Sequence, residues 1–332
     1  MAAAPPPPCR QVFVRVRGLP SSHLRPVLLL LAVLIAALAP PARAGPLTPQ
    51  FVAPGVYVFP GDMAAPSAAN LGMIANEGVI VGSEGMILIG TGTSDGHGER
   101  LLQASAALAD KPVLLALNLY AAPEHVLGNT AFARRGIPIL AHRETDRYMA
   151  QNCDVCIRNL GAAIGMDNLA GSRLARPNRL IDGATTLTIG GRTLDILHVG
   201  PAQQPGSIAV LDRESGVLFA GALVTLDVIP DAHDADIDGW LAMIEAMGKT
   251  PFRVLVPGRG PVAPPQRLAE VADYLTALRA QAQNAYRGGT GLRELGRSPP
   301  LPRFERWVQY DTLHARNLHH QYLKLEAADL AR

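Results

Sequence analysis

The strongest constraint on the fold is a series of short apolar runs, each bounded by glycine, in the first third of the chain. Three of these runs are Gly55–Phe59, Gly78–Gly82 and Gly85–Gly90. Runs of this length, rich in Val and Ile and closed by turn residues, are typical of buried strands. The next segment, Gly98–Ala109, repeats its leucines at helical spacing and predicts a helix.

Strands and helices go on alternating, in a second set about as large as the first. Further strands are predicted at Pro112–Asn118, Gly136–His142, Ser207–Leu211, Gly216–Ala220 and Phe252–Pro257, with a hairpin over Thr185–His198, a helix over Asp236–Met247 and helical structure after Pro265. This order predicts an α/β fold in which two mixed sheets form a sandwich, with helices covering both outer faces.

The N-terminus carries the features of a secretory signal peptide. Thirteen consecutive apolar residues, Val27–Ala39, follow an arginine-containing segment and precede the small-residue site Ala42–Ala44. A basic region, a short apolar region and a site of this kind predict cleavage before Gly45 and a periplasmic or secreted protein. The alternative is an uncleaved anchor, but thirteen residues fall short of the roughly 20 that a bilayer requires. No stable membrane span is expected after cleavage.

The charge balance excludes one class of partner. The whole chain has 30 basic and 28 acidic residues, and five of the arginines lie in residues 1–44. Removing this segment leaves 25 basic against 28 acidic side chains, a net charge of −3. Binding to nucleic acid requires a concentrated basic surface, so no nucleic-acid partner is expected.

Two cysteines, Cys153 and Cys156, remain after the predicted cleavage, because Cys9 lies in the leader. A Cys-x-x-Cys pair in an oxidising compartment predicts a small disulfide. A redox dithiol and two reduced thiols stay open as alternatives. Half of a zinc site is a further reading, but no second cysteine pair completes it.

The segment Asn118–Asn129 resembles the metal-binding loop of the metallo-β-lactamase superfamily, in which a strand is followed by His-x-His-x-Asp-His and a Gly-Asn helix start. Here Tyr120 and Ala122 stand at the first two histidine positions and Glu124 at the aspartate, so only His125 keeps its family identity. The resemblance implies a four-layer αββα sandwich.

Four further segments resemble landmarks of the same family, and each carries a substitution at a residue typical of the family. They are Leu197–Ser207, with Gln203 at a histidine and Ser207 at an aspartate; Val217–Val224, with Ala222 at the bridging aspartate; Val256–Pro261, with Arg259 at the last histidine; and Ile89–Gly92, with Gly90 at the aspartate of an Asp-Thr-Gly turn. The similarity implies a metallo-β-lactamase-like domain over residues 45–265 and a helical C-terminal extension over 266–332.

Within the superfamily, the chain resembles the quinoprotein relay system zinc metallohydrolases. The features that carry this resemblance are the export signal, a Cys-x-x-Cys insertion at about 145–180 and the tail Phe304–Trp307. These relatives are periplasmic and associated with dehydrogenases that use pyrroloquinoline quinone. The resemblance implies a periplasmic protein or a small ligand as partner, within such a dehydrogenase system.

The substitutions predict that the scaffold is retained and the zinc chemistry lost. Family enzymes use imidazoles and carboxylates to hold zinc, which activates a bound water. Only Glu124 and His125 remain as plausible ligands, and the permanent cation of Arg259 repels Zn²⁺ and can instead pair with Glu124. The expected protein is a pseudoenzyme with no catalytic residues, no cofactor and a binding cleft.

Other readings of these residues were open. The alternative function is a metallo-hydrolase that keeps one weak zinc at His125 and Glu124. His142, His198 and His233 could form a shifted metal site. The expectation for His125 alone is a hydrogen-bonded residue, and for Ser207 a turn serine. The apolar residues around Trp307 are expected to pack in the core rather than bind a cofactor.

Overall fold

The computed structural model describes residues 46–331. The predicted secretory signal and Cys9 lie outside these residues. Within residues 46–331, no helix is long and apolar enough to cross a membrane.

The first sheet has seven strands in sequential order. They are β1 (Gln50–Ala53), β2 (Val56–Phe59), β3 (Glu77–Val81), β4 (Met86–Ile89), β5 (Val113–Asn118), β6 (Ile139–His142) and β7 (Arg179–Ile181). Strands β1 to β4 pair antiparallel, and β4 to β7 pair parallel. Strand β4 is buried along its whole length, as its continuous apolar sequence predicts.

The second sheet has five strands, in the order β12, β11, β10, β9, β8. Their bounds are β8 (Thr185–Ile189), β9 (Arg192–Leu197), β10 (Ala209–Asp212), β11 (Val217–Thr225) and β12 (Val254–Arg259). Strands β8 to β11 pair antiparallel, and β12 pairs parallel with β11. The predicted hairpin corresponds to β8 and β9, which Gly190 and Gly191 connect at positive φ.

Seven α-helices accompany the sheets within the described residues. They are α1 (Asp95–Ala106), α2 (Pro123–Val126), α3 (Asn129–Arg134), α4 (Arg143–Ile164), α5 (Ile237–Gly248), α6 (Leu268–Arg287) and α7 (Ala315–Leu330). Side chains cap several of them: the Ser94 hydroxyl accepts the His97 N–H at the start of α1, and Asp236 accepts the Gly239 N–H at the start of α5.

The main core lies between the two sheets. Ile80, Ile89 and Leu117 of the first sheet share one buried cluster with Val210 and Phe219 of the second. The close contact explains a glycine in β3, because a Cβ at Gly78 would lie 2.4 Å from the Phe219 ring.

Helices cover both outer faces, so the expected four-layer αββα sandwich is confirmed. Leu101 of α1 and Phe132 of α3 pack with Leu88 on the outer face of the first sheet. Trp240 of α5 and Tyr274 of α6 pack on the second sheet. The C-terminal apolar residues join this layer: the Phe304 and Trp307 rings lie 5.3 Å and 6.1 Å from the Tyr274 ring, so the expected core packing is confirmed.

Strands β11 and β12 are parallel neighbours, so they deliver their C-terminal residues to the same edge of the second sheet. Phe219 pairs with Val256, and Thr225 pairs with Arg259. Gly258 allows the two strands to approach, since a Cβ there would lie 2.5 Å from the Gly221 carbonyl oxygen. The loop after β5 meets the second sheet here, where the Ile208 N–H donates to the Leu119 carbonyl at 2.9 Å.

Candidate functional site

A cleft of about 600 Å³ lies where these loops meet. Six of the seven positions predicted from the family motifs line it: Tyr120, Ala122, Glu124, Gln203, Ala222 and Arg259. Helix α4, which carries the Cys-x-x-Cys motif, and the C-terminal segment supply further walls. The sequence motifs therefore identified residues that converge on one site.

His125 is the seventh position, and it lies beneath the floor of the cleft. Its ring is 1% exposed and stacks on Tyr120, with ring centroids 4.3 Å apart. The Leu119 N–H donates to Nε2 at 3.0 Å, so this nitrogen acts as an acceptor. Burial lowers the pKa of His125 to about 4. The imidazole is neutral at pH 7, and its proton is assigned to Nδ1 because Nε2 accepts a hydrogen bond.

Glu77 lies beside this nitrogen, although no sequence motif pointed to it. Its Oε2 lies 3.3 Å from His125 Nδ1, and its side chain is 2% exposed. Burial is the main cause that raises the pKa of Glu77 well above its usual value, and the Glu124 carboxylate adds to the increase. The available signal was a charged residue at the first position of a buried apolar strand, since such residues are rarely buried without a partner.

Gly90 provides the space that Glu77 occupies. It adopts φ +82°, and a Cβ there would lie 1.5 Å from Glu77 Oε2 and 2.6 Å from His125 Cε1. Gly90 stands where the resemblance places an aspartate. The Glu77 carboxyl group therefore fills the volume that a side chain at position 90 would occupy, and it lies beside His125 without a hydrogen bond to it.

Arg259 holds a neighbouring loop rather than Glu124. Its Nη2 donates to the carbonyl oxygens of Met63 at 2.8 Å and Ala64 at 2.9 Å. Within the described residues it forms no ion pair, and its buried Nε has no hydrogen-bond partner. The expected pairing with Glu124 is wrong. The guanidinium donates to the two backbone carbonyls instead. The Glu124 charge still acts on Arg259 through space, where it opposes the lowering of its pKa by burial.

Glu124 is half-buried at the start of the short helix α2. Loss of contact with water raises its pKa, against the opposing effects of its own backbone N–H, Arg259 and His125. Ala122 and Ala222, beside it in the lining of the cleft, offer no side-chain ligand.

Two glutamines fix the loop between β9 and β10. Gln204 accepts the Ala121 N–H at 2.9 Å and donates to the Ala121 carbonyl at 3.3 Å, so its amide ties this loop to the loop after β5. The Ser207 hydroxyl accepts the Gln204 N–H at 3.1 Å, as expected of a turn serine. Gln203 donates to the Asp231 carbonyl at 3.3 Å. The family motifs pointed to Gln203 and did not point to Gln204, whose two hydrogen bonds to Ala121 connect the loops.

A second polar cluster lines the cleft around His233. Its Nδ1 lies 2.8 Å from Asp231 Oδ1, and its Nε2 lies 2.8 Å from Asp234 Oδ2. These hydrogen bonds raise the pKa of His233 to about 9, so it is an imidazolium at pH 7. Tyr148 of α4 donates to Asp234, and Arg316 of α7 donates to Asp231. The cluster thus joins the loop before α5 to both helices.

Cys153 and Cys156 are free thiols on α4, so the structure contradicts the predicted disulfide. Side chains three residues apart on a helix have Cβ atoms about 5–6 Å apart, whereas a disulfide brings them to about 4 Å. A bridge would therefore deform the helix. Cys153 is fully buried, and Cys156 lines the cleft.

The residues present do not fit a zinc ion. Across residues 46–331, no group of three or more His, Cys, Asp or Glu side chains could hold a metal. His142 and His198 stack, with ring centroids 4.1 Å apart, but His233 belongs to its own carboxylate cluster. The shifted histidine site is therefore not assembled. At the family position, His125 uses Nε2 to accept a backbone N–H.

Comparison with known proteins gives one curated relative of modest similarity. No family model matches the chain. A linear primary-alkylsulfatase from a Pseudomonas species is 22% identical over 227 residues, which are 58% of this chain and 43% of the alkylsulfatase. The chain therefore spans less than half the length of that relative.

Solved structures define the fold. A metallo-β-lactamase from Pontibacter korlensis aligns with a TM-score of 0.57 and 20% identity, covering 69% of this chain and 99% of its own. A metallo-β-lactamase from Pseudomonas aeruginosa, in its mono-zinc form, gives 0.59 and 18%, covering 72% and 98%. A sec-alkylsulfatase from a Pseudomonas species gives 0.65 and 18%, covering 84% and 50%. The chain has the metallo-β-lactamase fold.

Proposed function

We propose that the protein is an exported binding protein built on the metallo-β-lactamase fold, and that it does not carry out zinc-dependent hydrolysis. The observation that carries this proposal is the state of His125, the one histidine kept from the family motif. Its Nε2 accepts the Leu119 N–H, and its Nδ1 faces the buried carboxyl group of Glu77. Neither nitrogen offers a free lone pair to a metal in the cleft.

The other positions support the same conclusion. A catalytic zinc site uses three protein ligands with nitrogen, sulfur or carboxylate donors. Tyr120, Ala122 and Gln203 supply none of the imidazoles that the family motif places there, and the half-buried Glu124 alone cannot replace them. Arg259 adds a fixed positive charge to the same cleft, which opposes the entry of a divalent cation.

The cleft itself is retained, which favours binding over a purely structural role. Its volume of about 600 Å³ lies in the range of small-molecule sites. We further propose a periplasmic or secreted location and an accessory role in quinoprotein-dependent oxidation. These proposals rest on the leader sequence, the Cys-x-x-Cys helix and the tail around Trp307.

A hydrolysis assay with a zinc-restoring control tests the proposal. The purified protein is assayed with β-lactams, thioesters and phosphodiesters, with added zinc and with a chelator. The control is the triple variant Tyr120→His, Ala122→His, Gln203→His, which returns three imidazoles to positions that line one cleft. We expect no metal-dependent turnover by the natural sequence and tight binding of zinc by the triple variant alone.

Hydrolysis by the natural sequence, abolished both by chelation and by His125→Ala, would contradict the proposal. That result would establish the alternative function, a metallo-hydrolase with one metal at His125 and Glu124.

A further inference from the structure

The acidic and basic side chains around the cleft differ in whether they have partners of opposite charge. The carboxylate of Asp231 is engaged by His233 and Arg316, and Asp234 is engaged by His233 and Tyr148. The acidic groups of this wall therefore have partners of their own. Arg259, by contrast, donates to two backbone carbonyls and forms no ion pair within residues 46–331.

Arg259 is also incompletely satisfied. Its Nη2 makes both observed hydrogen bonds, and its buried Nε has no partner among the described residues. A buried donor without an acceptor costs about 1–3 kcal/mol. An anionic ligand in the cleft would neutralise the guanidinium, and arginine is well suited to carboxylate and sulfate oxygens. Burial raises the pKa of the Glu124 carboxyl group in the same cleft, which favours its uncharged form and reduces the negative charge that would oppose an anion.

Much of the remaining lining is apolar. Ile74, Ala163 and Leu313 contribute to the walls, and Val155 of α4 is 48% exposed while lining the same cleft. An exposed valine beside an alanine and a leucine favours contact with a hydrocarbon group. Val155 and Ala163 come from α4, and Leu313 comes from the C-terminal segment, so these surfaces belong to the walls rather than to the floor formed by the motif loops.

We propose that the ligand of this cleft is an organic anion with an apolar chain, whose carboxylate or sulfate group binds Arg259 and whose chain lies along the wall that contains Val155. This proposal rests on the proposed binding function and specifies its ligand class. The carboxylate and the sulfate ester share the same chemistry at Arg259, and the experiment distinguishes them.

The test measures calorimetric binding of four probes below their micelle concentrations: octanoate, octyl sulfate, octylammonium and octyl glucoside. We expect at least one of the two anions to bind, with the tighter one defining the preferred head group, and the cation and the neutral probe to bind at least about tenfold more weakly, since a charge-assisted hydrogen bond contributes about that factor. Equal binding of octyl glucoside, or no binding of either anion, would overturn the proposal.

Two variants with matched controls locate the ligand. Arg259→Gln should weaken anion binding about tenfold or more, whereas Arg213→Gln, which removes a cation paired with Asp195 outside the cleft lining, should change it less than about threefold. Val155→Asp should weaken octanoate binding in the same way, and Met166→Asp, at a residue 58% exposed and outside the cleft lining, should not. Val155 is exposed, so its variant tests the site even if Arg259→Gln loosens the Met63 loop.

Failure of this inference is distinguishable from failure of the proposed function. A metal-free protein that binds octyl glucoside as tightly as octanoate would retain the binding function and exclude the anion. Tightly held zinc with hydrolytic turnover would overturn the binding function, whatever the probes show.

Discussion

His125 and His233 both lie beside carboxyl groups at one cleft, yet at neutral pH His125 is neutral and His233 is positively charged. His125 is fully buried, and burial lowers its pKa to about 4. The side chain of His233 is 38% exposed, and two carboxylates at 2.8 Å raise its pKa to about 9. The cost of burying a charge determines the pKa of His125, whereas direct hydrogen bonds to carboxylates determine the pKa of His233.

The comparison also shows that neither histidine presents a free lone pair to the cleft. A ligand imidazole must present an unshared pair on one nitrogen. His125 is neutral, but its one lone pair accepts the Leu119 N–H. His233 is charged, so both its nitrogens donate to carboxylates. The unprotonated nitrogen of His125 accepts a backbone N–H, and both nitrogens of His233 carry protons. The surrounding scaffold keeps its shape at both positions.

The largest expected effect on the free energy of unfolding comes from a substitution at Gly90, which lies against Glu77 and His125. Gly90→Ala places a methyl group 1.5 Å from Glu77 Oε2 at a positive φ. We expect a loss of about 3 kcal/mol in the free energy of unfolding, from left-handed strain and overpacking together. The control is Gly136→Ala, at φ +68° with nothing within 4 Å, which should lose only about 1–2 kcal/mol. Urea denaturation measures both, and equal losses would contradict the placement of Glu77.

Glu77→Gln removes the buried ionisable group and retains its shape. The folded-state pKa of Glu77 is raised, so its contribution to stability is fully present below the unfolded pKa of about 4.3 and is lost as pH rises through the folded pKa. The variant should match the natural protein in stability at pH 4 and exceed it at pH 8, where ionisation of Glu77 destabilises the natural protein. The exposed Glu84→Gln is the control. Thermal unfolding measures the stability of both variants across this pH range. The same pH dependence in Glu77→Gln and Glu84→Gln would contradict the expectation.

His233→Gln should have the smallest effect. The stability that His233 contributes is fully present below pH 6.5 and is lost as pH rises through about 9, because its folded pKa is raised. Since the cluster is partly exposed, solvent screening reduces the expected loss to about 1 kcal/mol at pH 6.5. The loss should vanish by pH 10. The exposed His319→Gln serves as the control, and a loss independent of pH would show that the ion pairs are not its cause.

The sequence predicted the layers and the location of the site, because both follow from local patterns. Apolar runs set the strands, and the spacing of five landmarks placed six of seven residues around one cleft. The Glu77–His125 contact was not predictable in this way, since it joins residues 48 positions apart. Its one signal was a charged residue at the start of a buried strand.

Two errors share a physical origin in the backbone. The disulfide was expected from composition and compartment, but Cys153 and Cys156 are free thiols on helix α4. Pairing of Arg259 with Glu124 was expected from opposite charge, but the carbonyls of Met63 and Ala64 are the acceptors. Side-chain chemistry alone does not reveal which backbone groups compete for a charge.

We propose that the cleft keeps the metallo-β-lactamase scaffold without its zinc site. Elemental analysis of the protein, purified without chelator and dialysed against micromolar zinc, tests this claim most directly. The account predicts well under one zinc per chain, because His125 has no free lone pair and three imidazole positions are occupied by Tyr120, Ala122 and Gln203. One or two zinc ions per chain, retained through dialysis and lost in His125→Ala, would contradict it.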